Sequence, residues 1–193
     1  SGNIKSLYNS LSFLNYTPII TSNSKEINNC DKIILPGVGS FDNCISKINA
    51  KLDIENLKNE ILFKKKFFLG ICVGMQILST FGFENKKMNG LNLIEGVVEK
   101  INCKPLALPH VGWNNIEIIK KDEIFNGIES FLDFYFVHSY RFKVVNREYS
   151  LAETIYGEKF SSVIKRENIY GVQFHPEKSQ SYGLKFLSNF LKL

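Results

Sequence analysis

Phe67-Phe68-Leu69-Gly70-Ile71-Cys72-Val73-Gly74-Met75-Gln76 is the stretch from which the fold can be read. Its first five residues are an unbroken apolar run, the pattern of a short strand buried on both faces of a parallel sheet. Gly70 and Gly74 then flank Cys72, and residues 73–80 read as a helix. Strand, tight turn and helix in that order make a nucleophile elbow with cysteine in place of serine. Small neighbours let the turn tighten, and backbone dipoles favour a thiolate at the start of the helix. The competing reading is a buried structural cysteine beside a packing pair of glycines.

Working outward, Ile4, Leu7, Tyr8, Leu11 and Leu14 recur at helical spacing, with Asn3 as a cap. Thr17 to Thr21 reads as a short strand, and Asp31 to Leu35 as a second that Pro36-Gly37 stops. Helical stretches follow near 40–50 and 53–65. Beyond residue 90 the texture turns β-rich, with runs at 96–101, 115–120, 133–138, 149–155, 160–165 and 169–174, and residues 181–192 form an amphipathic helix. This order predicts an α/β fold: an open, mostly parallel sheet flanked by helices, with antiparallel strands added in the second half. The 193 residues suit one domain spanning 1–193. Because the chain opens on a helix, the first strand of such a sheet is expected to lie upstream.

Composition narrows the class. At 44% hydrophobic and 22% charged, with 16 Phe and 8 Tyr, the chain can bury a large core, which excludes a disordered protein. No apolar run is long enough to span a membrane, and Ser1-Gly2-Asn3 does not begin a signal peptide. Four cysteines at irregular spacing, with no C-x-x-C pair, argue against a zinc ribbon or disulfide framework and for a reducing cytoplasm. The net charge of +5 comes almost entirely from scattered Lys, which reads as a solvated surface rather than a nucleic-acid site.

Two further segments carry chemistry. Gln173-Phe174-His175-Pro176-Glu177 closes a strand. In extended backbone His175 and Glu177 project to one side, and Pro176 biases His175 toward that geometry. The imidazole can take a thiol proton while the carboxylate orients the ring. Pro36-Gly37-Val38-Gly39-Ser40 follows a strand directly and suits an oxyanion loop, with Val38 supplying one backbone N–H and Val73 the other. Its alternative is an ordinary strand-to-helix loop. His110 and His138 are also candidate bases, but neither has an acid at the right offset, so both read as strand-end histidines. Three histidines without H-x-H or H-x-x-x-H spacing argue against a metal site, and no cofactor fingerprint is present. Cys30, Cys44 and Cys103 lack an elbow and read as structural.

GICVGMQ (70–76) and QFHPE (173–177) resemble the two signatures of class I, triad-type glutamine amidotransferases. PGVGSFDNC (36–44), PHVGWN (109–114), FVHSY (136–140) and QFHPEKS (173–179) extend the likeness over nearly the whole chain, toward the branch that serves histidine biosynthesis. The resemblance implies Cys72 as nucleophile, His175 as base and Glu177 as its orienting partner. It places glutamine against Gly37, Val38, Gly39, Gln76, Ser139 and Tyr140. It also implies a separate (β/α)8 barrel synthase that receives the ammonia, with Asn3, Trp113, Tyr135 and Lys178 near the interface. A paralogous branch that supplies ammonia for amidination of a surface sugar shares the same catalytic half. Two departures stand out: the family's leading strand is absent, and Glu95 stands where the family usually has Pro. A catalytically silent scaffold and another cysteine hydrolase are the competing classes.

Overall fold

The computed structural model describes the backbone of residues 2–193 and the side chains from Ile4 onward. In chain order the elements are α1 (Gly2–Phe13), α2 (Ser24–Asn29), β1 (Lys32–Gly37), α3 (Phe41–Lys51), α4 (Ile54–Lys58), β2 (Phe67–Cys72) and α5 (Val73–Gln76). A π-helical turn, Asn59–Phe63, continues α4. There follow β3 (Phe81–Gly82), β4 (Met88–Asn89), β5 (Gly96–Lys100), β6 (His110–Asn115), β7 (Glu117–Ile118), β8 (Asp133–His138) and β9 (Tyr140–Val144). The last elements are β10 (Ser150–Tyr156), β11 (Glu158–Arg166), β12 (Ile169–Val172) and α6 (Gln180–Lys192).

The principal sheet has the order β1-β2-β12-β11-β10-β7. β2 pairs in parallel with β1 and β12, and the sheet then continues antiparallel through β11, β10 and β7. An α/β fold with added antiparallel strands is therefore the observed architecture, with parallel pairing in the principal sheet confined to β1, β2 and β12, the last of these from the second half of the chain. β2 sits inside because it has no polar side chain to solvate: Phe68, Leu69 and Ile71 are fully buried. From α6, Phe186, Leu187 and Phe190 are buried in the same hydrophobic core. Two smaller sheets, β4-β3-β5-β9 and β6-β8, cover the end of the molecule where β2 terminates.

Several expectations are corrected. α1 begins at Gly2, so Asn3 lies inside the helix rather than at its cap, and its side chain falls outside those described. Residues 17–21 belong to no strand, with Ile19 and Ile20 largely exposed; a strand needs a neighbour for its backbone groups, and β1 does not pair with this segment. Pro36 does not end β1, which runs on to Gly37, because on an edge strand the missing N–H leaves no ladder bond broken. The helix expected over 73–80 is one turn long. The carbonyls of Ile77, Leu78 and Ser79 accept instead from the backbone N–H groups of residues 91–94, a tertiary pairing that displaces further helix. β7 occupies only Glu117–Ile118 of the expected 115–120. β6, β9 and α2 were not foreseen.

Candidate active site

The parallel register assembles the site. Gly37 lies opposite Cys72, so Val38 and Val73 emerge side by side from two neighbouring strand ends. On the other flank Val172 lies opposite Ile71, which brings Gln173 and the following residues against Cys72. Residues a hundred positions apart in sequence thus meet at one edge of the sheet.

Cys72 has φ 57° and ψ −114°, a conformation that L-residues rarely adopt and that marks the sharp elbow turn. Glycines make that turn possible. A Cβ on Gly74 would stand 1.9 Å from the carbonyl oxygen of Leu35, and one on Gly70 would stand 2.4 Å from the carbonyl oxygen of Gly74. The α5 turn packs directly on the strand ends, and only hydrogen fits between them. With four residues, α5 is too short for a large macrodipole, so the elbow's backbone N–H groups and the imidazole carry the electrostatics.

His175 and Glu177 are brought together as expected. His175 Nδ1 is 2.8 Å from Glu177 Oε1, with both side chains almost wholly buried. That contact leaves Nε2 for Cys72. Burial opposes a charged ring, but hydrogen bonds and charges from Cys72 and Glu177 outweigh it and lift His175 to about 9. The turn that carries the pair is pinned to β8: His175 N–H donates to the Tyr135 carbonyl at 2.8 Å, Ser179 Oγ donates to the His175 carbonyl at 2.6 Å, and Tyr135 N–H donates to Ser179 Oγ at 3.0 Å.

A cavity of about 200 Å³ opens over Cys72 and His175. Gly37, Val38, Gly39, Val73, Gln76, Ser139 and Tyr140, all foreseen, line it together with Glu84, Val137 and His138. Gly39 takes φ +92°, which lets the loop turn over the cavity mouth. Gln76 is buried and donates through Nε2 to the Tyr140 carbonyl at 2.9 Å and to Gln173 Oε1 at 3.0 Å. Both amide hydrogens are thereby used, so the Gln76 oxygen is the group left for a ligand.

Glu84 is the residue that sequence reading missed. Among the described residues it is the one carboxylate that lines the cavity. Its Oε2 accepts from the Phe41 N–H at 2.6 Å, and burial raises it above the usual carboxylate range. No motif marks it; the paired short strands β3 and β4 flank the loop that carries it to the cavity. His138 also lines the cavity, and it contacts His110 rather than an acid. Neither is a second base: burial holds His110 down to about 4, and burial, with the neighbouring His110 and His175, holds His138 down to about 3 against its bond to Tyr140.

Three of the four expected interface residues cluster on an exposed patch. Trp113 lies opposite Tyr135 across β6 and β8, the rings meet edge-on at 6.0 Å, and the Lys178 ammonium lies 5.6 Å from the Tyr135 ring centre. Val111 extends the patch.

A cysteine elbow beside a buried His–Glu pair on a mixed α/β sheet is the arrangement that thiol-dependent amide cleavage requires. The family model for class-I glutamine amidotransferases matches residues 1–193, and the chain belongs to that family. It is 41% identical over 194 residues to imidazole glycerol phosphate synthase subunit HisH 1 of Campylobacter jejuni strain 81-176, spanning 100% of this chain and 96% of that protein. It is likewise 41% identical over 199 residues to subunit HisH of Pelagibacter ubique, again with 100% and 96% covered. Among solved structures, one described as a glutamine amidotransferase superposes with a TM-score of 0.77 at 14% identity, covering 99% of this chain and 93% of that one, a likeness of fold.

Proposed function

We propose that this chain is the glutaminase subunit of an imidazole glycerol phosphate synthase in histidine biosynthesis, and that Cys72, His175 and Glu177 are its catalytic triad. The convergence of these three side chains with Gln76 and Glu84 around one cavity carries the reading.

The cavity suits glutamine. Its α-ammonium group needs acceptors, which Glu84 and the Gln76 oxygen supply, and the Ser139–Tyr140 side receives the rest of the amino-acid end. The side-chain amide then reaches Cys72. Sulfur attacks the amide carbon, and the oxygen that becomes negative turns toward the backbone N–H groups of Val38 and Val73. His175, charged at neutral pH, returns a proton to nitrogen as the C–N bond breaks, giving ammonia and a γ-glutamyl thioester. The ring, now neutral, takes a proton from water as it attacks the thioester, and glutamate and the thiol are released. Glu177 holds the ring through Nδ1 so that Nε2 faces sulfur throughout.

Ammonia is mostly protonated at neutral pH and then is no nucleophile, so a sealed route to a second site is required. Trp113, Tyr135 and Lys178 form an aromatic, cationic patch suited to a partner, in our reading a (β/α)8 barrel synthase. Synthase ligand binding then raises glutaminase activity through the Gly37–Gly39 loop. Among the described residues no helix is long and apolar enough to cross a membrane, and all four cysteines are free thiols, which supports a reducing cytoplasm. Mixing the chain with the barrel subunit and its ligand should release glutamate from glutamine, with Cys72→Ala inactive. Rescue of a histidine auxotroph separates this pathway from sugar amidination; absence of both rescue and glutamate release would refute the proposal.

A further inference from the structure

Behind the cavity a chain of hydrogen bonds has its direction set at both ends by backbone carbonyls. At one end Asn114 Nδ2 lies 3.0 Å from the Ile155 carbonyl, which can only accept. The amide nitrogen therefore also faces His110 Nε2, at 3.3 Å, and donates to it. His110 then carries its proton on Nδ1, 3.1 Å from His138 Nε2, and His138 carries its own on Nδ1, 2.8 Å from the Tyr140 carbonyl. Starting instead from Tyr140 gives the same answer, because its carbonyl too can only accept. Two independent anchors agree on one tautomer for each ring, and each ring must be neutral. The surroundings agree: Phe136, Tyr156, Phe160, Asn114, the Tyr140 carbonyl and each other face the two rings, and the charge of His175 opposes a proton on His138.

The chain continues past Tyr140. The same carbonyl fixes the Gln76 amide, whose second hydrogen goes to Gln173 Oε1. With its oxygen so held, Gln173 turns its Nε2 to Cys72 Sγ, at 3.8 Å. Gln173 is fully buried, its backbone N–H donates to the Ser162 carbonyl at 2.9 Å, and its side-chain oxygen is held by Gln76. The sulfur's other contact outside the triad is the Val137 carbonyl, also at 3.8 Å, which can accept only from a thiol. One neighbour thus suits the protonated sulfur and the other the thiolate.

We propose that Gln173 is a positioning residue for the Cys72 thiolate, its N–H aimed at sulfur by Gln76 and the Tyr140 carbonyl. The inference rests on reading Cys72 as the nucleophile. Its role differs from that of the triad: Gln173 exchanges no proton and holds the sulfur's negative form in the orientation for attack.

The test uses the full chain with its barrel partner. Gln173→Met keeps the length and removes the donor; Gln173→Glu places a carboxylate at the sulfur. Iodoacetamide alkylation of Cys72 reads the sulfur without requiring glutamine, and steady-state glutamate release separates kcat from KM. A hydrogen bond to a charged group at the long end of its range is worth about tenfold. Gln173→Met should lower both the alkylation rate and kcat by about tenfold, leave KM within about twofold and keep a cooperative melt. Gln173→Glu should lower both further. If Gln173→Glu does not fold, Gln173→Met decides alone; if that too fails to melt cooperatively, nitrogen-15 NMR of the wild-type Gln173 side-chain amide decides, a shift of its signal on alkylation of Cys72 being required and an unmoved signal overturning the inference. A folded Gln173→Met that alkylates and turns over like wild type overturns it while leaving the nucleophile reading intact. Glutamine hydrolysis by Cys72→Ala would overturn the nucleophile reading itself.

Discussion

Glu177→Gln removes one charge and almost no volume from the buried pair, so its effect measures what the carboxylate does for His175. His175 rises from 6.5 to about 9 because hydrogen bonds and charges from Cys72 and Glu177 together outweigh the desolvation that opposes its charge. Removing the Glu177 charge withdraws one of the two supports that hold the ring charged against its burial. Gln also offers an N–H to Nδ1. The ring can then carry its proton on Nε2, where it cannot receive one from sulfur. General acid–base assistance is worth about 10²–10⁴ in rate, so kcat for glutamine hydrolysis should fall by about tenfold to a thousandfold with KM within about threefold. The assay is glutamate release with the barrel partner present across pH 6–10, paired with NMR titration of His175 in the free chain. The titration midpoint should move down from about 9 toward the ordinary histidine value. A variant that keeps kcat within about twofold and an unmoved midpoint would refute the reasoning.

Gly74→Ala would drive a methyl group to 1.9 Å from the Leu35 carbonyl oxygen; displacing α5 from the strand ends should cost ~1–3 kcal/mol in thermal or urea unfolding and abolish hydrolysis. His110 and His138, held down to about 4 and 3, make stability depend on pH. Below the unfolded value of 6.5 the unfolded chain binds protons that the folded rings refuse, so the urea midpoint should fall as pH drops from about 6.5 to 4. The raised His175 acts in the opposite sense, its contribution being lost as pH climbs from about 6.5 through 9. A midpoint flat between about pH 4 and 6.5 would contradict the neutral histidine pair. Glu84→Gln should raise KM for glutamine about tenfold to a hundredfold while kcat stays within about threefold; a kcat loss with unchanged KM would place Glu84 elsewhere in the reaction.

The elbow and the His-Pro-Glu turn were legible because each is a local arrangement. An apolar strand ending in Gly70-Ile71-Cys72-Val73-Gly74 has few ways to fold, and Pro176 restricts the residue before it. That both arrive at one place depends on strand register, which joins Val172 to Ile71 and which no local pattern encodes. What the sequence concealed follows from the same limit. β6 and β9 carry Trp113, Asn114, Tyr140 and Arg141, polar or amphipathic residues that become strands by pairing with β8 and β5. The length of α5 is decided by residues 91–94, and Glu84 by a loop held between two-residue strands. His110 and His138 looked like isolated strand-end histidines because their partners are each other, across a sheet.

The most direct trial of the account is intact-mass and peptide analysis after exposure to an electrophilic analogue of glutamine. A single adduct should form on Cys72, be slowed by added glutamine, and vanish in Cys72→Ala while Cys30, Cys44 and Cys103 stay unmodified. Labelling of another cysteine, or labelling of Cys72 that glutamine does not slow, would contradict a glutamine site built around this sulfur.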